Sequence, residues 1–218
     1  MVRSTVAALC ILFAGSVSVN GQNIEQYSLQ GKHLVSIGFG FLGGLNSSQK
    51  ISDDGATVSN RTEGTTGMLI YKHWFRTDWA LNIQGGVSAA RSEASADLTG
   101  VSAESGAVMS LLFGITFQPE GLALSPVLRP YISVAAGPYW GFSSESSVGL
   151  NTTNSAGSQT APGMRLTAGM DWFSGVNKRF NLGLNLGYNF VGDFDTPVGA
   201  LQNYSGAEFC LSLGFVFH

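Results

Sequence analysis

Three things are scarce in this chain of 218 residues: long hydrophobic runs, charged side chains and cysteine. After Gln22 no stretch approaches the roughly 18 consecutive apolar residues that identify a membrane-spanning helix, which excludes a helical membrane protein. Charged residues make up only 11% of the chain, its net charge is -3, and Lys and Arg form no cluster. The sequence therefore lacks the basic surface of a nucleic-acid-binding protein, and we expect no nucleic-acid partner.

The N-terminal segment has the features of a secretory signal peptide. Arg3 provides a short positive region, residues 6–19 are apolar, and small residues precede the expected cleavage after Gly21. An apolar stretch of about 14 residues is shorter than the ~20 that a transmembrane anchor needs. We therefore expect a cleaved signal peptide at residues 1–21 and a single domain at residues 22–218.

Cysteine is nearly absent from the expected mature chain. Cys10 lies inside the apolar stretch and would leave with the signal peptide, so Cys210 is the only thiol that remains. A single cysteine cannot form an intramolecular disulfide, although export would permit one. This excludes a small secreted scaffold held together by disulfides.

In place of long hydrophobic runs, the chain shows a period of two. From residue 180 to residue 190 every second side chain is large and mostly apolar, and the residues between them are Asn or Gly. This alternation is typical of a β-strand with one apolar face and one polar or small face. Eight such segments follow one another, most of them about ten residues or longer, which is the length that a tilted transmembrane strand requires. They cover residues 35–41, 66–75, 79–88, 106–117, 131–142, 165–172, 180–190 and 206–217, and the second leaves its register open by one residue.

The connections between these segments are alternately short and long. Residues 75–79 and 173–180 are short connections, and residues 117–129 form a moderately longer turn. The long connections span residues 45–62, 88–105, 143–163 and 191–204. The long connections are rich in Ser, Thr, Asn, Asp and Gly, which is typical of solvated loops. We therefore predict an all-β, eight-stranded antiparallel up-and-down transmembrane β-barrel in the bacterial outer membrane, with both termini periplasmic and the long loops facing outward.

The two faces of the predicted strands differ in side-chain size. One face is Gly, Ser, Ala, Thr or Asn at nearly every position, which suits the narrow interior of an eight-stranded barrel. The large apolar face can then contact outer-membrane lipid. Aromatic residues near the strand ends would form interfacial girdles. They are Trp74, Phe75, Trp79, Trp172 and Phe173 near the short turns, and Tyr139, Trp140 and Tyr188 toward the other end. The alternative is a soluble, ligand-binding β-barrel whose core is the large face.

The last strand ends on an aromatic pattern, with Phe215 and Phe217 spaced two apart. Together with the signal peptide and the eight alternating strands, this ending resembles the small OmpA-like and OmpX-like outer membrane protein β-barrel superfamily. The resemblance implies that Phe215 and Phe217 form a C-terminal signal read by the barrel-assembly machinery, although His218 follows the final phenylalanine. We expect no peptidoglycan-binding domain after the barrel, so the anchoring role of full-length OmpA proteins is not carried over.

Four charged residues fall on the small face of the predicted strands: Lys72, Arg165, Asp171 and Glu208. An isolated charge inside a barrel is costly, so these side chains must pair or meet water. The simpler interpretation is a salt-bridged polar plug that holds the strands in register. The alternative is a gated pore in which Glu208 exchanges partners between Arg165 and Lys72.

The sequence favours no enzyme, metal or cofactor. A deacylating enzyme needs a serine near a histidine base on the outer side. His33, His73 and His218 instead map to the periplasmic end. The carboxylate pairs at residues 53–54 and at positions 193 and 195 lack the further ligands of a calcium site.

The predicted function is that of a structural scaffold whose surface loops serve in adhesion or in contacts with other envelope components. A narrow porin-like channel for small solutes is the first alternative, and the soluble ligand-binding barrel is the second. The expected partners are outer-membrane lipid, the barrel-assembly machinery and an unknown extracellular ligand of the loops.

Overall fold

The computed structural model describes residues 28–43, 64–91, 95–97, 100–149, 153–196, 198, 201 and 203–218. The predicted signal peptide and the carboxylate pair at residues 53–54 lie outside these ranges. Within the described ranges, no helix is long and apolar enough to cross a membrane.

Eight strands form one closed antiparallel barrel, as the sequence predicts. Each strand pairs with the next along the chain, and the first also pairs with the last, so the sheet closes on itself. Closure satisfies the backbone hydrogen-bonding groups of both would-be edges. The strands are β1 (His33–Gly43), β2 (Gly64–Arg76), β3 (Trp79–Arg91), β4 (Gly100–Phe117), β5 (Leu128–Gly149), β6 (Thr153–Ser174), β7 (Phe180–Val191) and β8 (Gly206–Phe217). A further short strand, Ser95–Asp97, pairs with the start of β4.

The two ends of the barrel differ in their connections, and we call them the turn end and the link end. At the turn end, β2 joins β3 through two residues, and the other two turns contain the 3-10 helices Glu120–Leu122 and Val176–Lys178. The strand β1 begins and β8 ends at this same end. The other four connections lie at the link end, and they range from three residues between β5 and β6 to twenty between β1 and β2.

The strands are staggered around the barrel. A path that follows paired residues from His33 around all eight strands returns to β1 at Gly43, ten residues further along. Stagger of this kind accompanies the strand tilt that barrel closure requires. The path runs through His73, Leu81, Ile115, Val134, Leu166, Tyr188 and Ala207.

The large apolar side chains cover the outside of the barrel. Phe39 and Leu213 are each 70% exposed, while their neighbours Gly38 and Ser212 face inward and are buried. The same alternation holds along β7, where the apolar residues are exposed and Asn181, Asn185 and Asn189 are buried. A soluble barrel requires the opposite arrangement, because its large apolar face must form the core.

Strand β2 resolves the register that the sequence left open. Met68, Ile70 and Lys72 face inward, and Leu69 faces outward. A β-bulge between Trp74 and Arg76 shifts the pairing with β3 near the turn. The pattern is irregular there because the bulge adds a residue to one strand only.

Three of the aromatic residues predicted to face lipid lie inside the barrel. Trp74 and Phe173 are fully buried and Tyr139 is 5% exposed, so the interfacial assignment was wrong for them. Trp74 and Phe173 lie two residues from the inward-facing Lys72 and Asp171, and strand alternation keeps them on the inner face. Phe75, Trp79, Trp172 and Tyr188 do face outward, each 40 to 48% exposed.

The long connections also differ from the prediction. Much of residues 88–105 and 143–163 is strand rather than loop, because β4, β5 and β6 extend into these two ranges. In the last connection, between β7 and β8, four apolar residues are buried rather than solvated. They are Phe194, Val198, Leu201 and Tyr204.

Candidate functional site: the barrel lumen

The lumen is closed at the turn end by an apolar layer. Trp74 and Phe173 meet there edge to face, with their ring centroids 6.5 Å apart. Leu29, which precedes β1, is fully buried in the same cluster. Close packing of such large side chains leaves little room for water. The other members are Leu34, Ala80 and Val216.

Two cationic side chains, Arg129 and Lys32, lie beside this layer. Arg129 is buried, and its Nη1 lies 3.6 Å from Oε1 of Glu120 in the β4–β5 turn. Lys32, just before β1, has its pKa lowered by partial burial and, second, by the positive charge of Arg129.

The first ion pair of the lumen joins Lys72 on β2 to Asp171 on β6. Lys72 Nζ lies 2.9 Å from Asp171 Oδ2, and both side chains are buried. Gln118 donates a second hydrogen bond to the same oxygen at 3.0 Å. The ammonium also lies 3.7 Å from the centre of the Tyr131 ring, at cation–π distance. The Tyr131 hydroxyl in turn donates to Asn185.

Two glycines make room for the tyrosine rings of the lumen. A Cβ at Gly169 would lie 2.6 Å from the Tyr131 ring, and a Cβ at Gly163 would lie 2.5 Å from the Tyr139 ring. Both distances are shorter than any real Cβ contact. The small face predicted from the sequence is thus partly space for buried aromatic rings.

A thin apolar layer separates the first ion pair from the second. It consists of Met68, Ile70 and Cys210, all buried. On β2, Ile70 and Met68 lie between Lys72 and the link end. On β8, Cys210 lies two residues from Glu208. The two ion pairs are therefore stacked along the barrel axis rather than joined in one network.

The second ion pair joins Arg165 on β6 to Glu208 on β8. Arg165 Nη2 lies 3.3 Å from Glu208 Oε1. Asn189 donates to the other carboxylate oxygen at 2.8 Å, and the Tyr139 hydroxyl donates to Asn189 at 3.2 Å. Within the described part of the chain, Glu208 Oε1 and Arg165 Nε have no hydrogen-bond partner, although both atoms are buried. Arg165 Nη1 contacts the Met68 sulfur instead.

A second apolar layer closes the lumen at the link end. Phe194, Val198, Leu201 and Tyr204 from the β7–β8 connection pack against inward-facing residues of the wall. Hydrogen bonds hold the connection in place, because Tyr204 donates to the Val198 carbonyl at 2.7 Å. The wall residues are Leu42, Val108, Leu112, Ala135, Tyr139, Ala161 and Val191.

All four charged residues singled out in the sequence face the lumen, and they form two separate pairs. Glu208 pairs with Arg165, and Lys72 pairs with Asp171. Sequence reasoning missed Gln118 and Arg129, because both fall in the turn predicted at residues 117–129 rather than on the inner face of a predicted strand. It also missed Tyr131, whose alternation with Ile132 does place it on the inner face.

In the part of the chain that the structure describes, no histidine side chain is hydrogen-bonded to a serine. His33 Nδ1 and the Tyr71 hydroxyl are hydrogen-bonded at 2.7 Å on the outer face of the turn end, and the His33 ring stacks on His73. His218 is exposed after β8. No group of three or more His, Cys, Asp or Glu side chains in the described ranges could hold a metal ion.

Comparison with known proteins gives matches by structure alone. No protein-family model matches the chain, and no curated protein matches its sequence. The Ail attachment invasion locus protein of Yersinia pestis, in complex with the heparin analogue sucrose octasulfate, matches with a TM-score of 0.52 and 16% identity over 86% of this chain and 99% of that chain. Outer membrane protein OprG of Pseudomonas aeruginosa matches with a TM-score of 0.52 and 14% identity, covering 90% of this chain and 100% of that chain.

A third match is a major outer membrane protein from Thermus thermophilus, with a TM-score of 0.53 and 15% identity over 85% of this chain and 99% of that chain. These neighbours have the fold expected from the OmpA-like resemblance. The chain therefore has the fold of a small, eight-stranded outer-membrane β-barrel.

Proposed function

We propose that this chain is an integral outer-membrane protein whose closed barrel is a scaffold for an interaction surface at the link end. The observation that carries the proposal is the distribution of polarity. The outward face is mostly apolar, with Phe39 and Leu213 each 70% exposed, and two ion pairs lie inside, Lys72 with Asp171 and Arg165 with Glu208. Only contact with lipid makes such an exterior favourable.

The packing of the lumen supports a scaffold rather than an open channel. An ion that crossed the barrel would have to pass the apolar layer around Trp74 and Phe173, and then the one around Phe194 and Tyr204. Transfer of an unpaired ion through such layers is costly. Between these layers lie the two ion pairs, and in each pair the positive and negative side chains form a salt bridge with each other.

The length of β5 and β6 supports an exposed surface at the link end. Each strand has 22 residues, and their pairing continues from Leu128 and Trp172 to Ser147 and Thr153. About 9 to 11 residues suffice to cross a bilayer. The hairpin therefore extends beyond the apolar band, which suits adhesion or contact with another envelope component. Attachment is also the role named for the Yersinia pestis barrel of the same fold.

The orientation and the assembly route belong to the same proposal. The turn end would face the periplasm, which leaves the link end outside, as both chain ends are periplasmic in other transmembrane barrels. Phe215 and Phe217 face outward near the end of β8, where the barrel-assembly machinery could reach them. Residues 1–21 would be removed during export.

Heat-modifiability tests the membrane-spanning barrel. The chain is refolded from urea into detergent micelles, and its gel mobility is compared with and without boiling. We expect a faster unboiled band that resists protease except at the link end, together with retention in the membrane pellet after alkaline carbonate extraction. Folding as a monomer in plain buffer would contradict the lipid-facing assignment.

A narrow channel is the second candidate, and the incomplete hydrogen bonding of Glu208 favours it. If Glu208 can leave Arg165 for Lys72, the variant Asp171→Asn should promote openings, because it removes the present partner of Lys72. Conductance in planar bilayers measures this. A scaffold predicts rare or no openings in both proteins, and frequent openings in the variant alone would favour the gated pore.

A further inference from the structure

The outer face of the barrel carries a cluster of polar rings at the turn end. His33 on β1 is hydrogen-bonded to Tyr71 on β2 at 2.7 Å and stacks on the His73 ring with centroids 4.4 Å apart. On the other side it stacks on Phe217 of β8, with centroids 5.4 Å apart. The next outward positions on β1 are apolar, so this polar cluster interrupts an otherwise apolar surface.

Two arginines flank the cluster along the rim of the barrel. Arg76 ends β2 and is exposed. Arg179 is also exposed, and its carbonyl accepts a hydrogen bond from the Val216 amide at 2.6 Å, which places it beside the end of β8. Arg76 thus ends the strand on one side of β1, and the Arg179 backbone lies beside the end of the strand on its other side.

The carboxylates described at the turn end are already engaged. Asp78 accepts a hydrogen bond from the Glu120 amide at 2.8 Å. Glu120 itself pairs with Arg129. Among the described residues, neither Arg76 nor Arg179 forms a salt bridge with these or other carboxylates.

We propose that the cluster of His33, Tyr71 and His73, with Arg76 and Arg179, binds the phosphate of an anionic phospholipid in the leaflet at the turn end. Imidazole, phenol and guanidinium groups all donate hydrogen bonds to phosphate oxygens. Aromatic and imidazole rings suit the headgroup level, where one edge is wet and the other contacts acyl chains. The inference rests on the proposed membrane location.

Two positive side chains decide between lipid classes. A zwitterionic headgroup carries its own cation next to the phosphate, whereas phosphatidylglycerol carries none. The arginines therefore favour the anionic lipid, since basic residues at a membrane surface attract anionic lipid. His73 Nδ1 is buried and has no hydrogen-bond partner among the described residues.

Native mass spectrometry of the folded full chain tests the proposal. The protein is held in micelles that contain equal amounts of phosphatidylglycerol and phosphatidylcholine, and the lipids it retains are counted. We expect a preference for phosphatidylglycerol that falls about fivefold or more in the double variant Arg76→Gln/Arg179→Gln. The double variant His33→Phe/His73→Phe, which keeps the rings but removes their donors, should lower retention as well.

Two matched controls should leave the preference unchanged. Lys178→Gln removes a charge from the same turn, but its ammonium is directed to the Pro126 carbonyl at 3.1 Å. Tyr188→Phe removes an outward-facing hydroxyl that lies toward the opposite end of the barrel. Gel mobility confirms that each variant is folded, and the arginine variant keeps the test decisive if the histidine variant does not fold.

Several outcomes would overturn the inference while leaving the barrel intact. They are equal retention of both lipids by the wild type, an unchanged preference in the arginine variant, or an equal loss in Lys178→Gln. Slower assembly in cells with unchanged lipid retention would assign the cluster to the assembly machinery instead. Folding in plain buffer without lipid or detergent would reject the membrane location itself.

Discussion

The two ion pairs of the lumen are equally buried but unequally bonded. In the Lys72–Asp171 pair the atoms are 2.9 Å apart, Gln118 donates to the same carboxylate, and the ammonium lies on the Tyr131 ring. In the Arg165–Glu208 pair the closest atoms are 3.3 Å apart, and one buried nitrogen and one buried oxygen lack a hydrogen-bond partner among the described residues. The difference lies in the surrounding groups, not in exposure.

This difference shows what makes a buried pair favourable. The attraction between two charges offsets their desolvation only when the remaining donors and acceptors are also satisfied. In the pair nearer the turn end the only buried atom without such a partner among the described residues is Oε1 of the neighbouring Gln118, whereas in the pair nearer the link end the unpartnered atoms belong to Arg165 and Glu208 themselves. We therefore expect the first to stabilise the fold and the second to tolerate change.

The largest effect should come from Asp171→Asn. The substitution keeps the shape of the side chain but leaves the Lys72 ammonium buried without its counter-charge. We expect the free energy of unfolding to fall by about 3–5 kcal/mol. Urea unfolding in lipid vesicles, followed by tryptophan fluorescence, measures it. The exposed carboxylate at Asp195 provides the control, and a loss no greater than that of Asp195→Asn would refute the expectation.

A smaller effect is expected from the matching change in the second pair, Glu208→Gln. Asn189 can still donate to the remaining oxygen, and the lost contact to Arg165 is long. We expect a loss of about 1–3 kcal/mol by the same measurement. Equal losses for Glu208→Gln and Asp171→Asn would show that the additional hydrogen bonds around Asp171 contribute little.

The sequence predicts the faces of the strands better than the pairing between them. Alternation predicts that Lys72, Arg165, Asp171 and Glu208 face inward, because successive side chains of one strand point to opposite faces. Which charge meets which depends on the stagger accumulated around eight strands, and no local pattern encodes that sum. The two separate pairs therefore emerge only from the structure.

The wrong predictions came from the residue types near a turn or in a loop, where the alternation along the strand should have decided. Trp74 and Phe173 lie near turns, where aromatic residues commonly form a girdle, yet each is two residues from an inward-facing charge. The β7–β8 connection was misjudged for a related reason. Its apolar residues do not recur at a regular spacing, and the polar residues between them predicted a solvated loop. In the structure the apolar residues are buried because they pack against the open end of the barrel.

The smallest change concerns the layer that covers the second pair. Tyr204→Phe removes only the hydroxyl that donates to the Val198 carbonyl at 2.7 Å and should cost about 1 kcal/mol. Because that bond ties the connection to itself above the lumen, its loss should raise the population of locally open states. Cys210 reports on them, since its thiol is buried beneath the layer.

In a chain carrying Cys10→Ser, Cys210 is the sole thiol, and its alkylation by a small reagent added to the folded barrel can be timed. We expect the rate to rise about fivefold in Tyr204→Phe, as a shift of about 1 kcal/mol in a local opening equilibrium requires. Tyr188→Phe makes the same chemical change on the outer face and should leave the rate unchanged. If both variants react at the wild-type rate, the reagent does not enter past the β7–β8 connection, and the apolar layer at the turn end, around Trp74, becomes the barrier to test next, because Cys210 lies between the two layers.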